Sequence, residues 1–216
     1  MSTPRRGAFF SFEGGEASGK SVQARHVVAA LGERGVDVVA VREPGGTPAG
    51  EQIREIFLHS SDIALSPEAQ ALLVTAARAQ LVRDVIRPAL QRGAVVIADR
   101  YFDSTLAYQG FAGGADIGGL RDLQRFAVGP TIPDRTFLLD VPIEVIAARS
   151  RARQADRRWD RFEVQGRAFH ERLRDGYLRL AAAEPGRFVV VPGDRDEATI
   201  ATEILREVDA VLATPA

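Results

Sequence analysis

The sequence predicts a doubly wound α/β fold, a five-stranded parallel sheet with helices on both faces. Three observations point there. Short β-branched and aromatic apolar runs alternate with longer stretches of helical periodicity along the 216 residues, which is the signature of βαβ units. Most of the runs are apolar at nearly every position, as strands covered on both faces are. The first run leads through a glycine-rich turn directly into a helical pattern.

In chain order, the strands are expected at 8–13, 36–42, 94–99, 136–141 and 188–192, each followed by a loop and then a helix. The first helix should span 19–34 and stop at Gly35, which suits the left-handed position that ends a helix. A longer helix should begin at Ser66-Pro67-Glu68, with the serine as N-cap and proline in the first turn, and run toward Gly93. Pro88 is placed to disturb its last turns. Gly113, Gly114, Gly118 and Gly119 predict a flexible loop. No repeat, low-complexity stretch or linker interrupts the pattern, so residues 1–216 are read as one domain, since two would be cramped at this length.

Composition removes several function classes. There is no cysteine, which excludes disulfides and Cys-based zinc or redox sites, and three histidines leave little for a metal cage. A cytoplasmic location is the default expectation. The apolar run at 8–12 is too short for a signal sequence or a membrane span. A formal net charge of -1 argues against a nucleic-acid-binding surface. No membrane or nucleic-acid partner is expected.

The strongest motif is Gly14-Gly15-Glu16-Ala17-Ser18-Gly19-Lys20-Ser21, followed by Val22 and the helical pattern. It satisfies G-x-x-x-x-G-K-[ST], the phosphate-binding P-loop, in its proper strand-to-helix context. Glycines let backbone N–H groups converge on phosphate oxygens, and the helix N-terminus adds favourable dipole charge. The sequence thus predicts the P-loop NTPase fold, with these residues at the triphosphate. Lys20 is the one lysine among 28 basic residues, the rest being arginine. A compact ammonium was kept where a planar guanidinium would not fit among phosphates. A single lysine also excludes Ras-type GTPases with an N-K-x-D motif and ATPases that need a second P-loop lysine.

Four further segments carry a resemblance. Phe12-Glu13-Gly14, Arg42-Glu43-Pro44-Gly45-Gly46-Thr47, Ala76-Ala77-Arg78-Ala79-Gln80, and Asp99-Arg100-Tyr101 followed by Ser104 and Ala107-Tyr108-Gln109-Gly110 resemble the thymidylate kinase family in order and spacing. The resemblance implies transfer of the γ-phosphoryl group of ATP to dTMP with Mg²⁺, in dTTP biosynthesis. The chemistry agrees with it. Asp99 closes an apolar strand at its carboxyl end, where ligands of open α/β sheets bind, and with Ser21 could hold the ion. Arg100 would bridge the acceptor phosphate and the γ-phosphate, a task for a rigid donor fork.

The resemblance also assigns roles on the acceptor side. It implies that Glu16 accepts from the dTMP 3′-hydroxyl, that Glu43-Pro44 forms a loop with a cis proline near the acceptor, and that Arg78 donates to a thymine carbonyl. Ser104, Thr105 and Tyr108, with Gln109 beside them, would contact base or sugar. Many relatives stack a phenylalanine on thymine where this chain has Val74, a contact worth about 0.5–1.5 kcal/mol. The arginines of 149–163 resemble a mobile lid. Some members of the family place an arginine within the P-loop and others a basic lid; with Ala17 this chain resembles the second type, which implies Arg153 and Arg151 at the phosphates and Arg149 nearer adenine, with the loop at 192–194 also bordering the base. The family forms homodimers through long helices, to which the 66–92 helix could contribute. Two competing readings remain at this point: a kinase of another nucleoside or nucleoside monophosphate, and a noncatalytic ATP-dependent switch.

Overall fold

A computed structural model describes residues 7–60, 63–152, 162 and 165–214. Its elements are, in order, β1 (Phe9–Glu13), α1 (Lys20–Glu33), β2 (Val38–Arg42), α2 (Pro48–Arg54), α3 (Pro67–Leu81), α4 (Arg87–Gln91), β3 (Val95–Asp99), α5 (Phe102–Thr105), α6 (Ile117–Val128), β4 (Arg135–Asp140), α7 (Ile143–Ala152), α8 (Arg167–Ala183), β5 (Phe188–Pro192) and α9 (Glu197–Ala213). Three five- to seven-residue π-turns, Glu55–His59, Val82–Ile86 and Leu106–Ala112, join helices or extend them.

The five strands form one sheet in the order β2-β3-β1-β4-β5, and every pairing is parallel. Each of the five expected strands is found, with ends shifted by up to two residues. Only the three inner strands are buried throughout or nearly so. β2 and β5 are edges and expose part of their length despite apolar sequences. Alternation along β1 sends Phe9 into the core beneath α3, α6 and α8 and Phe10 and Phe12 into the core beneath α1 and α9. By the same parity Glu13 points to the α8 face, where Tyr177 Oη donates to it.

Capping follows the sequence closely. Ser66 Oγ accepts from Ala69 N at 3.2 Å to start α3, and Gly35, at φ +74°, ends α1. The long helix expected from 66 toward 93 is instead three pieces. Pro88 has no N–H and cannot share the α register with the turn before it. The intervening π-turn lets Arg87 N–H bond back to Val82 O and delivers the proline into the first turn of α4. The glycine-marked loop is also shorter than expected. Gly118 and Gly119 lie in the first turn of α6, because the Asp116 carboxylate accepts from Gly119 N at 2.6 Å.

Candidate active site

The carboxyl ends of β1 and β3 lie side by side, with Phe12 opposite Asp99, and two cavities flank the turn that leaves β1. The turn is held open by backbone conformations that favour glycine. Gly14 sits at φ +139° and Gly19 at φ +99°, and a Cβ on Gly14 would come 2.7 Å from the Leu139 carbonyl oxygen. Lys20 curls back over the loop, donating from Nζ to Gly15 O at 2.7 Å and Ser18 Oγ at 3.3 Å. Its ammonium is buried, and burial together with the neighbouring Arg100 brings its pKa down to about 8. Ser21 Oγ donates to Asp99 Oδ2, so the two oxygen groups proposed for a cation already share one point.

One cavity, about 240 Å³, contains the predicted acceptor machinery. Glu16, Ala17, Lys20, Ser21, Asp99 and Arg100 line its floor, and Glu43, Pro44, Val74, Arg78, Ser104, Thr105, Tyr108 and Gln109 form its walls. The Glu43–Pro44 peptide is cis. Arg100, itself at φ +72°, donates from Nη2 to Glu16 Oε1 at 2.9 Å and to Tyr108 Oη at 2.8 Å. Burial works to raise the Glu16 pKa, but Arg100, Lys20 and the Tyr108 hydroxyl more than offset it and hold the carboxylate below its usual range. The carboxylate within the P-loop is therefore charged and aimed, with the guanidinium, into the cavity.

Arg78 is the most deeply engaged of the predicted residues. Its side chain is 2% exposed and pairs with Glu43, 3% exposed, at 2.6 Å. Nε also donates to Glu43 Oε2, Nη1 to Thr105 Oγ1 and Gln124 Oε1, and Nη2 to Tyr101 O. The chain from α3 through α5 to α6 thus fixes the guanidinium against the cavity wall. Glu43 Oε1 remains buried with no hydrogen-bond partner, and burial raises this carboxyl's pKa against the opposing pull of Arg78.

The second cavity, about 340 Å³, lies on the other side of the P-loop. Ala17, Ser18, Gly19, Val22 and Arg149 line it, with Gly193 and Arg195 from the loop after β5. Arg149 Nη2 donates to Gly193 O at 2.9 Å, tying α7 to that loop. Gly14 and Gly15 line a small crevice behind the P-loop with residues of β4 and α8. Arg151 is solvent-exposed on α7, and Arg153 lies outside the described residues, as does most of the predicted lid.

Several lining residues were not singled out from the sequence. Arg42, Arg54, Phe57, Leu58 and Phe162 enter the acceptor cavity. Phe57 comes from the π-turn after α2, and its ring centroid is 5.5 Å from that of Phe162, which meets Tyr108 edge-on at 5.0 Å. These rings supply an aromatic surface to a cavity whose α3 wall presents Val74. The apolar Ile-Phe-Leu run at 56–58 was the available signal, but nothing local shows which of its members faces a ligand. Among the described residues no three His, Cys, Asp or Glu side chains cluster as a metal cage, and no helix is long and apolar enough to cross a membrane.

Comparison with known proteins gives a consistent picture. The family model described as thymidylate kinase matches residues 12–204. A thymidylate kinase of Thermomicrobium roseum is 50% identical over 206 residues, covering 95% of this chain and 93% of its own length. One from Pseudomonas fluorescens is 44% identical, covering 96% of each. Among solved structures, the thymidylate kinase from Ehrlichia chaffeensis superposes with a TM-score of 0.76 at 28% identity, covering 94% of this chain and 99% of its own.

Proposed function

The chain belongs to the thymidylate kinase family, an ATP-dependent phosphotransferase that converts dTMP to dTDP, and on that premise we propose how its residues divide the work. ATP lies along the P-loop, its adenine toward Arg149 and the Gly193 loop and its β- and γ-phosphates at Lys20. The acceptor occupies the cavity on the other side, with thymine beside Arg78, Thr105 and Tyr108 and the sugar at Glu16. The observation that carries this reading is Arg100, whose guanidinium lines the acceptor cavity against the P-loop, donating to Gly14 O at 3.0 Å and held by Glu16 and Tyr108.

The reaction is an in-line displacement in which positioning and electrostatics supply most of the rate. An acceptor phosphate oxygen attacks the γ-phosphorus, the bond to the bridging oxygen of ADP breaks, and ADP leaves. Arg100 and Lys20 hold the charge that spreads over the transferring group, with Arg151 and Arg153 proposed to add to it from the lid. Ser21 and Asp99 are proposed to hold Mg²⁺, for which two hard oxygen donors beside a triphosphate are a suitable set. When bound, the ion would neutralise phosphate charge. Arg78 is proposed to read thymine by giving up one of its present acceptors, since its five N–H groups are already engaged by Glu43, Thr105, Gln124 and Tyr101 O.

A panel of acceptors offered with ATP tests the assignment through ADP release. dTMP should be preferred over AMP, GMP and free deoxynucleosides. Preference for a free nucleoside or a purine monophosphate, or ATP binding without acceptor-dependent turnover, would favour one of the competing readings. A cytoplasmic location is proposed with it, on the cysteine-free sequence.

We also propose a homodimer. Phe126 on α6 is 89% exposed and Leu72 on α3 58% exposed, apolar side chains on two adjacent helices that a second copy would cover. Sedimentation should give twice the chain mass, and Phe126→Glu should shift it toward the monomer.

A further inference from the structure

We infer that Glu13 is the positioning residue for Arg100, fixing its guanidinium at the nucleotide junction through the hydroxyls of Ser104 and Tyr177; the inference rests on the phosphotransfer reading above. Glu13 is the last residue of β1 and has no exposed surface. Its parity in the strand turns it away from the α1 face and under the Asp99-Arg100-Tyr101 turn. There it accepts from Tyr101 N at 2.8 Å, Ser104 Oγ at 2.6 Å and Tyr177 Oη at 3.0 Å.

The same two hydroxyls accept from Arg100. Nη1 donates to Ser104 Oγ at 3.1 Å and to Tyr177 Oη at 3.2 Å, and also to the P-loop carbonyl of Gly14 at 3.0 Å. A guanidinium can only donate and a carboxylate can only accept, so the two hydroxyls, hydrogen-bonded to each other at 2.9 Å, together relay donation from Arg100 toward Glu13. Arg100 is thereby held from behind by Nη1 while Nη2 faces Glu16 and the cavity. The backbone is fastened as well. Arg100 occupies the left-handed region, uncommon for a residue with a Cβ, and the N–H of the next residue is the one that Glu13 binds.

A neutral glutamine cannot do this. It keeps one accepting oxygen, and its amide nitrogen would meet donors. A fully buried carboxylate is also costly to keep charged. Burial and the nearby Asp103 raise its pKa to about 7, against the pull of Arg100, Ser104 and the Tyr101 N–H. The charged groups around it are thus Arg100, Asp103 on α5 and, more distantly, Lys20 on α1, with Tyr101 and Tyr177 as neutral phenols.

The test is steady-state turnover of Glu13→Gln and Tyr177→Phe at saturating ATP and dTMP, across pH 6 to 9. Glu13→Gln should lower kcat about 10²-fold, as a misplaced catalytic group does, with KM for ATP within about threefold of wild type because the P-loop is untouched. Tyr177→Phe should lower it about five- to tenfold, with a melting temperature lowered by only several degrees, so that the protein stays folded at assay temperature. Wild-type kcat should fall as pH drops through about 7, as Glu13 takes up a proton, and this limb should vanish in Glu13→Gln. A limb near pH 6 from the acceptor's own phosphate should persist in both. Wild-type kcat and pH profile in Glu13→Gln overturn the inference. If that variant does not fold, wild-type kcat in Tyr177→Phe overturns it alone. Wild-type protein inactive on dTMP would overturn the phosphotransfer reading first, which keeps the two failures distinct.

Discussion

Lys20→Ala is expected to lower kcat about 10²–10³-fold, the scale of removing one preorganised donor from developing charge, while leaving the fold intact. The two halves of that expectation have separate causes. Turnover falls because Lys20 is the P-loop's point charge and the sequence offers no second lysine. Stability is spared because the ammonium is buried at a cost. Its pKa falls from 10.5 to about 8, and at about 1.4 kcal/mol per pH unit the folded state carries a penalty of about 3 kcal/mol for the charge at neutral pH. The alanine variant escapes that penalty and loses only the stem's packing and the bonds to Gly15 and Ser18. The sign can be checked by linkage. The folded protein releases the Lys20 proton before the unfolded chain does, so wild-type stability gains as pH rises from about 8 to 10.5. Urea unfolding at pH 7 and pH 9.5, below the ionisation of the unfolded tyrosines, should show a larger gain in wild type than in Lys20→Ala. Undiminished turnover in a folded Lys20→Ala would remove Lys20 from the reaction.

Those expectations show how unevenly the sequence disclosed the molecule. The P-loop was legible because its chemistry is local. Eight consecutive residues specify the turn, the donors and the helix start, and the structure adds only distances. The strands were legible because burial on both faces writes an uninterrupted apolar run, although the same rule concealed that β2 and β5 are edges. What the sequence hid is what depends on distant partners. Arg78 could be placed on a helix face, but its partners Glu43 and Gln124 lie 35 and 46 residues away. Glu13 stood inside a recognised motif, yet its bonds to Ser104 and Tyr177 close only when α5 and α8 pack. The π-turns have no periodic signature, which is why Phe57 could not be aimed from sequence and why the long helix broke where Pro88 required it. Val74 is the instructive case. An absent aromatic ring on α3 looked like a weaker pocket, whereas the cavity draws aromatic surface from Phe57, Tyr108 and Phe162.

Arg187→Met is expected to cost about 3–5 kcal/mol of stability, the effect of leaving one member of a buried ion pair alone. Arg187 immediately precedes β5 and is 9% exposed at its side chain, while Asp103 is not exposed at all. Their contact is bidentate, at 2.6 and 2.8 Å, and Nη1 also reaches Thr136 Oγ1 at 2.7 Å. The guanidinium lies over the rings of Phe102 and Phe188, 5.0 and 4.5 Å from their centroids, so it is packed as well as paired. Methionine keeps much of the stem's volume but strands the Asp103 carboxylate in the core. Such a loss is a large share of the roughly 5–15 kcal/mol that a domain possesses. Asp103→Leu combined with Arg187→Met should recover much of it, because replacing both charges removes the uncompensated burial that either single change creates. Equilibrium urea unfolding of the three variants measures the coupling directly. Asp103 directly precedes Ser104, so the pair also anchors the short helix from which Ser104 meets Arg100. A double variant that regains stability but turns over slowly would locate that anchoring in the ion pair; one that regains both would assign the pair to the fold alone.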